Sequence, residues 1–300
     1  MTLASSDQVT RFMLPDLAIR GVAVHLKDSV ARIQDRHEYS IAIQQLLGEA
    51  TAASAILASH IKIDGRLSLQ LKSDGDLRTL FTECTAQGTV RGIAQIAEDA
   101  EAPDTRDLTQ NGSQRHLAIT IENRGVGNRE MQRYQGLVSV EHPTLAESIE
   151  QYFDQSEQLP TRMLLASEPG QSAGLMLQKL PGGETDDVDG WDRAIALFET
   201  LTEAELLSLA SADVLHRLFH EETTETLDST PIHFACSCSR ERARDMLISL
   251  GPDLEAEGHE PQSTDVKCEF CGEEYQFSAE EMGVLHGLSH SEQTGPTTLQ

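Results

Sequence analysis

The sequence predicts an α+β protein in parts: an amino-terminal domain of mixed sheet and helix, a helical linker, and a small carboxyl-terminal domain built on four cysteines. Three observations predict this. A long stretch with helical periodicity is flanked by short stretches of period two. A series of short helical patterns follows Pro181-Gly182-Gly183. Four of the five cysteines then fall in two tight pairs near the end of the chain.

The amino-terminal domain spans 1–178. Phe12 to Leu14 opens it as an apolar triplet, and Ala18–Val24 reads as a strand. From Tyr39 to His60, Ile43, Leu46, Leu47, Ala50, Ala53, Ile56 and Leu57 recur at steps of three and four, which predicts a long helix with one buried face. Leu67–Leu71 alternates with period two, Ser73-Asp74-Gly75 turns it into Leu77–Cys84, and Gly88–Ala94 continues the hairpin pattern. Residues 98–115 are polar and carry Pro103 and Gly112, so a loop is expected. Leu117–Glu122 and Leu137–Val140 read as further strands. Leu145–Ser156 reads as a helix, with Thr144 and Glu147 at capping-box spacing. Met163–Ala166 and Leu175–Leu180 are strand-like.

The linker spans 179–231. Trp191, Ile195, Phe198 and Leu201 share one helical face, and Thr202-Glu203-Ala204-Glu205 is a second capping-box pattern before Leu206, Leu207 and Leu209. Helices this short need a partner surface to bury their apolar sides. Thr223–Thr230 is expected to be a polar hinge. The cysteine domain follows over 232–288, and 289–300 reads as a flexible tail.

The 300 residues include 23 Lys and Arg against 49 Asp and Glu, a net charge of −26, which argues against binding nucleic-acid phosphates or anionic lipid. No uninterrupted apolar run approaches the ~18 residues of a membrane span. No basic region followed by an apolar one opens the chain, so a cytoplasmic location is expected. The charge is uneven: residues 179–300 hold 7 basic and 26 acidic side chains together with 7 of the 13 aromatics. A segment so charged yet supplied with large apolar groups is marginally foldable.

Cys236-Ser237-Cys238 and Cys268-Glu269-Phe270-Cys271 are separated by 29 residues. Without a secretory leader, reduced thiols are expected rather than structural disulfides. Four thiolates in two close pairs suit tetrahedral zinc, so Cys236, Cys238, Cys268 and Cys271 are the expected ligands of one Zn2+. His233, His286 and His290 are the histidines that could in principle replace one of these thiolates. The bland reading is a zinc knob that only holds the tail folded. Thiolates are also what oxidants attack. Cys268 and Cys271 can pair with little strain, whereas Cys236 and Cys238, two apart, would close a tight ring. Loss of the metal should unfold a small acidic module whose folding depends on it. The remaining cysteine, Cys84, stands alone in a strand-like stretch and reads as a buried small apolar residue.

Other motifs carry less. Gly170-Gln171-Ser172-Ala173-Gly174 matches the nucleophile elbow, but the strand-like Leu175–Leu180 follows where that motif requires a helix. Gly125-Val126-Gly127 lacks a full phosphate-binding or dinucleotide pattern. Ser278-Ala279-Glu280-Glu281 reads as the cap of a short helix to about Leu288. Asp186-Asp187-Val188-Asp189 reads as solvated linker. No catalytic residues are expected.

Phe234–Ser239, followed by Val266-Lys267-Cys268-Glu269-Phe270-Cys271-Gly272 with Tyr275 and Phe277 behind, resembles the heat-shock protein 33 family of bacterial redox-regulated holdase chaperones. Leu47–Ala50, Tyr134-Gln135-Gly136, Tyr152–Thr161 and Ala173–Gln178 extend the likeness over nearly the whole chain. The resemblance implies an ATP-independent chaperone, not an enzyme, that is inactive when reduced and zinc-bound. Oxidation would form the disulfides Cys236–Cys238 and Cys268–Cys271, release zinc and unfold the cysteine domain and linker. The 1–178 domain would then bind unfolding client proteins and mediate dimerisation. The resemblance implies a homodimer in the oxidised state and ATP-driven chaperones downstream. Two rival readings stand beside it: a thiol-disulfide oxidoreductase using Cys268-x-x-Cys271, and a passive zinc-stabilised adaptor.

Overall fold

The computed structural model describes residues 7–61, 63–98, 100–101, 103–110, 114–123, 132–182, 187–256 and 263–285. The chain divides into two compact units, Met1–Ala235 and Cys236–Gln300. The described residues of the expected linker, 179–231, lie within the first unit.

The first unit is organised around one helix. Its strands are β1 (Gln8–Leu14), β2 (Ile19–Leu26), β3 (Gly65–Ser73), β4 (Leu77–Thr85), β5 (Thr89–Ile96), β6 (Arg115–Asn123), β7 (Gln132–Ser139), β8 (Thr161–Glu168), β9 (Gln171–Lys179), β10 (Glu225–Pro231) and the short β11 (His233–Phe234). They form two sheets, ordered β10-β1-β2-β9-β8 and β11-β5-β4-β3-β6-β7, antiparallel except for the β11–β5 pair. Helix α1 (Asp28–Gln34) precedes the central helix α2 (Ile41–Ile61). Helix α2 packs against β2, β8 and β9 of one sheet and β3, β4 and β5 of the other.

Periodicity anticipates α2 but understates its burial. Sixteen of its 21 residues are buried, so it is enclosed on all sides rather than along one face. Small side chains (Ala50, Ala52, Ala53, Ala55 and Ala58) let both sheets approach closely. By length and composition α2 would cross a membrane, but 83% of its apolar window is buried inside the protein, where it forms the core.

Strand alternation divides the five-stranded sheet between two cores. Val22, Val24, Met163, Leu165 and Met176 face α2. Ile19, Ala23, Ala166, Ala173, Leu175 and Leu177 face the other way. That second face is covered by α4 (Gly190–Phe198), α5 (Glu203–Ser208) and α6 (Ser211–Phe219), which bury Ala194, Phe198, Leu206, Val214, Leu215, Leu218 and Phe219 against it. The short helices thus have the partner surface their length requires.

Both capping boxes form: Thr144 caps α3 (Leu145–Tyr152) through Glu147, and Thr202 caps α5 through Glu205. A π-type turn over Phe153–Glu157 follows α3, so the expected helix to Ser156 stops being regular at Tyr152. The larger correction concerns Thr223–Thr230. This is not a hinge; its residues from Glu225 form β10, paired antiparallel with β1. Almost all β10 side chains are exposed, so its strand geometry comes from the edge of β1 and not from its own apolar pattern.

Side chains of the linker also hold it in place. Arg106 donates to both carboxylate oxygens of Glu203 at 2.8 Å and pairs with the buried Glu49 of α2. A ring nitrogen of His25 lies 2.7 Å from the Leu206 carbonyl, and the other lies 3.2 Å from Ser211 Oγ.

Candidate metal centre

The second unit comprises α7 (Arg240–Ala256), the hairpin β12 (Thr264–Lys267) and β13 (Glu274–Phe277), and a helix over 279–285. Ser239 caps α7: its hydroxyl accepts from the Arg242 N–H at 3.3 Å, and its carbonyl accepts from Ala243 at 3.0 Å. Arg242 Nη1 donates to both the carbonyl and the hydroxyl of Ser237 at 2.8 Å, fixing the peptide between Cys236 and Cys238.

Cys268 and Cys271 occupy the turn joining β12 to β13. The Cys268 N–H donates to the Glu273 carbonyl at 2.8 Å, and Gly272 N–H donates to the Cys268 carbonyl at 2.7 Å. Gly272 takes φ +73°, which glycine adopts without a Cβ penalty. The turn presents both thiols on the side where the Cys236–Cys238 segment lies.

All four sulfurs lie within 4.8 Å of one another. The Cys236–Cys268 separation is 3.7 Å and the Cys238–Cys271 separation 3.3 Å. A tetrahedral S4 zinc site with bonds of about 2.3 Å has edges of about 3.8 Å. The donor set and its spacing therefore fit a thiophilic, tetrahedral ion. All four are free thiols, partly buried. Burial raises the pKa of Cys268, against the opposing pull of hydrogen bonds from Cys271 and the Phe270 backbone, and raises that of Cys271, where Cys238, Cys268 and Cys236 push the same way. Four thiolates this close repel, and a dication removes that penalty as protons leave. Tyr275 donates its hydroxyl to Cys238 Sγ at 3.1 Å.

The apolar core of this unit is small. Among the described residues it consists of Ala243, Leu247, Phe277, Met282 and Leu285, with Ile248, Val266 and Tyr275 at its margin. Arg240 stacks over Phe277 at 4.5 Å and pairs with Glu281 at 2.7 Å. So little buried apolar surface calls for a further tie, as a metal supplies in other small domains.

The structure brings together the four predicted cysteines. His233 lies in β11 of the first unit and takes no part in the cluster. His286 and His290 lie outside the described residues, as does Gly125-Val126-Gly127. Cys84 is buried in β4 with its thiol pushed up to about 12 by desolvation, consistent with an inert apolar role. Ser172 is the second residue of β9, after a turn at Gly170 with φ +85°, so the elbow-like motif is a β-hairpin. Sequence reading missed the positioning role of Arg242. Ser239 is a residue type favoured at helix starts, but the reach of the Arg242 guanidinium back to Ser237 had no sequence signal.

By fold and site, this is an α+β protein with a cluster of four thiols, able to hold a metal ion, in a small carboxyl-terminal unit. Residues 7–278 match the family described as Hsp33 protein, and the chain belongs to that family. A protein of Ectopseudomonas mendocina named 33 kDa chaperonin is 39% identical over 97% of this chain and 99% of its own length. One of the same name from Hahella chejuensis is 41% identical over 93% of this chain and 97% of its own. The crystal structure of a 33 kDa chaperonin from Thermotoga maritima has a TM-score of 0.77 at 22% identity, covering 95% of this chain and 99% of that one, and shows the same fold.

Proposed function

We propose that the protein is a cytoplasmic, ATP-independent holdase chaperone, switched on by oxidation of its four-thiol centre. In the reduced state Cys236, Cys238, Cys268 and Cys271 hold one Zn2+, which ties the segment before α7 to the β12–β13 turn. Each peroxide takes two electrons from one pair of thiolates and, with two protons from solvent, leaves as two waters, so two equivalents form the disulfides Cys236–Cys238 and Cys268–Cys271. Neither disulfide retains the thiolate donors, and the small core is then too slight to hold the second unit folded.

The observation that carries the reading is the cover of α4–α6 over a full apolar sheet face, on chain that continues through β10 and β11 into Cys236. Release of that cover uncovers Phe12, Leu14, Ile19, Leu175 and Leu177, a surface able to capture unfolding clients. Active chains are proposed to dimerise and to pass clients to ATP-driven chaperones after reduction.

Relatives named chaperonin carry no enzyme class, and Cys268-x-x-Cys271 lies in a hairpin turn and not at a helix start, which weighs against an oxidoreductase. The test treats reduced, zinc-loaded protein with peroxide at mild heat and follows zinc release, Trp191 fluorescence and light scattering of a denaturing client together. Zinc release with suppressed aggregation is expected. Zinc release without suppression supports a passive zinc protein, and catalytic disulfide turnover supports an oxidoreductase.

A further inference from the structure

We propose that the cleft now filled by residues 225–234 is an acceptor for an extended client segment, gripped through its main chain with one aliphatic side chain in the place of Ile232. This rests on the holdase reading and gives it a binding mode.

The segment runs along two sheet edges in succession. It pairs with β1 from Met13–Glu225 to Gln8–Pro231. Ile232 N–H then donates to the Asp7 carbonyl at 2.9 Å, His233 N–H to the Gly88 carbonyl at 2.9 Å, and Ala235 N–H to the Val90 carbonyl at 3.2 Å. Without the segment, both β1 and β5 are open edges, and open edges pair with extended polypeptide.

Side chains add to this grip mainly at its end, where Ile232 is buried and Phe234 packs against the same core with Arg36 over its ring at 5.7 Å. In β10 only Thr230 is even half-buried, and the side-chain links include Thr10–Ser229 at 2.9 Å and Arg11–Asp228. Ile232 is the anchor, with 1% exposure. It borders a cavity of about 200 Å3 whose walls include Val9, Ala55, Ala58, Ile63 and Cys84. Main-chain pairing plus a side-chain pocket is the physics of strand addition. It depends weakly on sequence, as an acceptor for many unfolded chains requires. The resident segment shows what the cleft accepts: a polar strand followed by a buried β-branched aliphatic residue and, two positions on, a partly buried aromatic.

The test uses a fluorescein-labelled peptide of residues 224–235 and the full-length protein, read by anisotropy. The oxidised chain is expected to bind it at least about ten-fold more tightly than the reduced chain, and an Ile232→Asp peptide to bind about ten-fold more weakly. Unlabelled peptide should compete with an unfolded client. A full-length Ile232→Asp variant should bind the wild-type peptide while reduced; if that variant does not fold, the oxidised wild-type chain decides alone. Suppression of aggregation by oxidised protein that neither binds the peptide nor distinguishes Ile232→Asp overturns the cleft but leaves the holdase reading standing. Peptide capture without suppression of aggregation supports the cleft and overturns the holdase.

Discussion

The carbonyl oxygen of Pro231 lies 2.4 Å from the position a Cβ would take on Gly88. Gly88 also has φ +75°, so any side chain here meets both backbone strain and the returning strand. Gly88→Val is expected to cost about 1–3 kcal/mol, concentrated on the crossing from β10 to β11. Hydrogen exchange should show residues 225–234 losing protection in the reduced protein while α2 keeps its own. Unchanged protection over 225–234 would contradict the role given to this contact.

Removing one sulfur should separate the two units thermodynamically. Cys271→Ser is expected to lower metal affinity by at least about ten-fold and to unfold the second unit, since its core alone is small. Metal stoichiometry against a chromophoric chelator, with calorimetry, checks this. Cys84→Ala should retain one metal per chain and lose about 1–2 kcal/mol of first-unit stability through a small buried void.

Tyr275 acts on the centre through Cys238, with its hydroxyl 3.1 Å from the sulfur. Tyr275→Phe keeps the ring in place and removes that donor. Metal transfer to a competing chelator should become about ten-fold faster, the scale seen for lost outer hydrogen bonds at metal sites. Unfolding of the first unit should not change. Identical transfer rates would leave the hydroxyl without a role.

Glu49 predicts a pH dependence. Burial in α2 raises its carboxyl from 4.5 to about 7, against the opposing pull of Arg106, while Glu203 across Arg106 adds to the rise. The folded chain therefore holds a proton that the unfolded chain releases in this range. Its stabilising effect is complete below about pH 4.5 and is lost as pH rises through about 7. The wild type should lose on the order of 2 kcal/mol across that window, and Glu49→Gln should not. Urea titrations of Trp191 fluorescence at pH 5 and 8 measure both; parallel behaviour of the two proteins would refute the assignment.

The acidity of residues 179–300, 26 acids against 7 bases, should favour release once the metal is lost. Raising salt from 0.05 to 0.5 M screens that repulsion, shortening the Debye length from roughly 14 to roughly 4 Å. Oxidative unfolding followed by Trp191 fluorescence should slow. Salt-independence would leave the charge as a solubility feature.

Elements with a strong pattern of their own were legible from sequence. The steps from Ile43 to Leu57 anticipate α2, and the alternation of Leu67, Leu69 and Leu71 anticipates β3. The cysteine spacing anticipates the cluster because metal ligation is local chemistry. Glu225–Pro231 hid its strand because the edge of β1 supplies the order. Helix α7 was hidden differently: Ala243, Leu247 and Ile248 are a narrow apolar stripe among charges, and Gly251-Pro252 lies inside the helix where sequence signals a stop. The double burial of α2 was likewise invisible, since a sequence shows how many apolar residues a helix has but not how many sheets enclose it.

The covalent continuity of residues 225–234 with Cys236 makes the resident strand a tethered competitor. A short tether gives it an effective concentration on the millimolar scale. On the binding mode proposed above, a client segment whose concentration divided by its Kd falls below the same ratio for the tethered strand would be displaced by mass action once the second unit refolds. Capture would then be an occupancy contest with a fixed reference ligand, and the chain would carry its own standard for how tightly a client is kept.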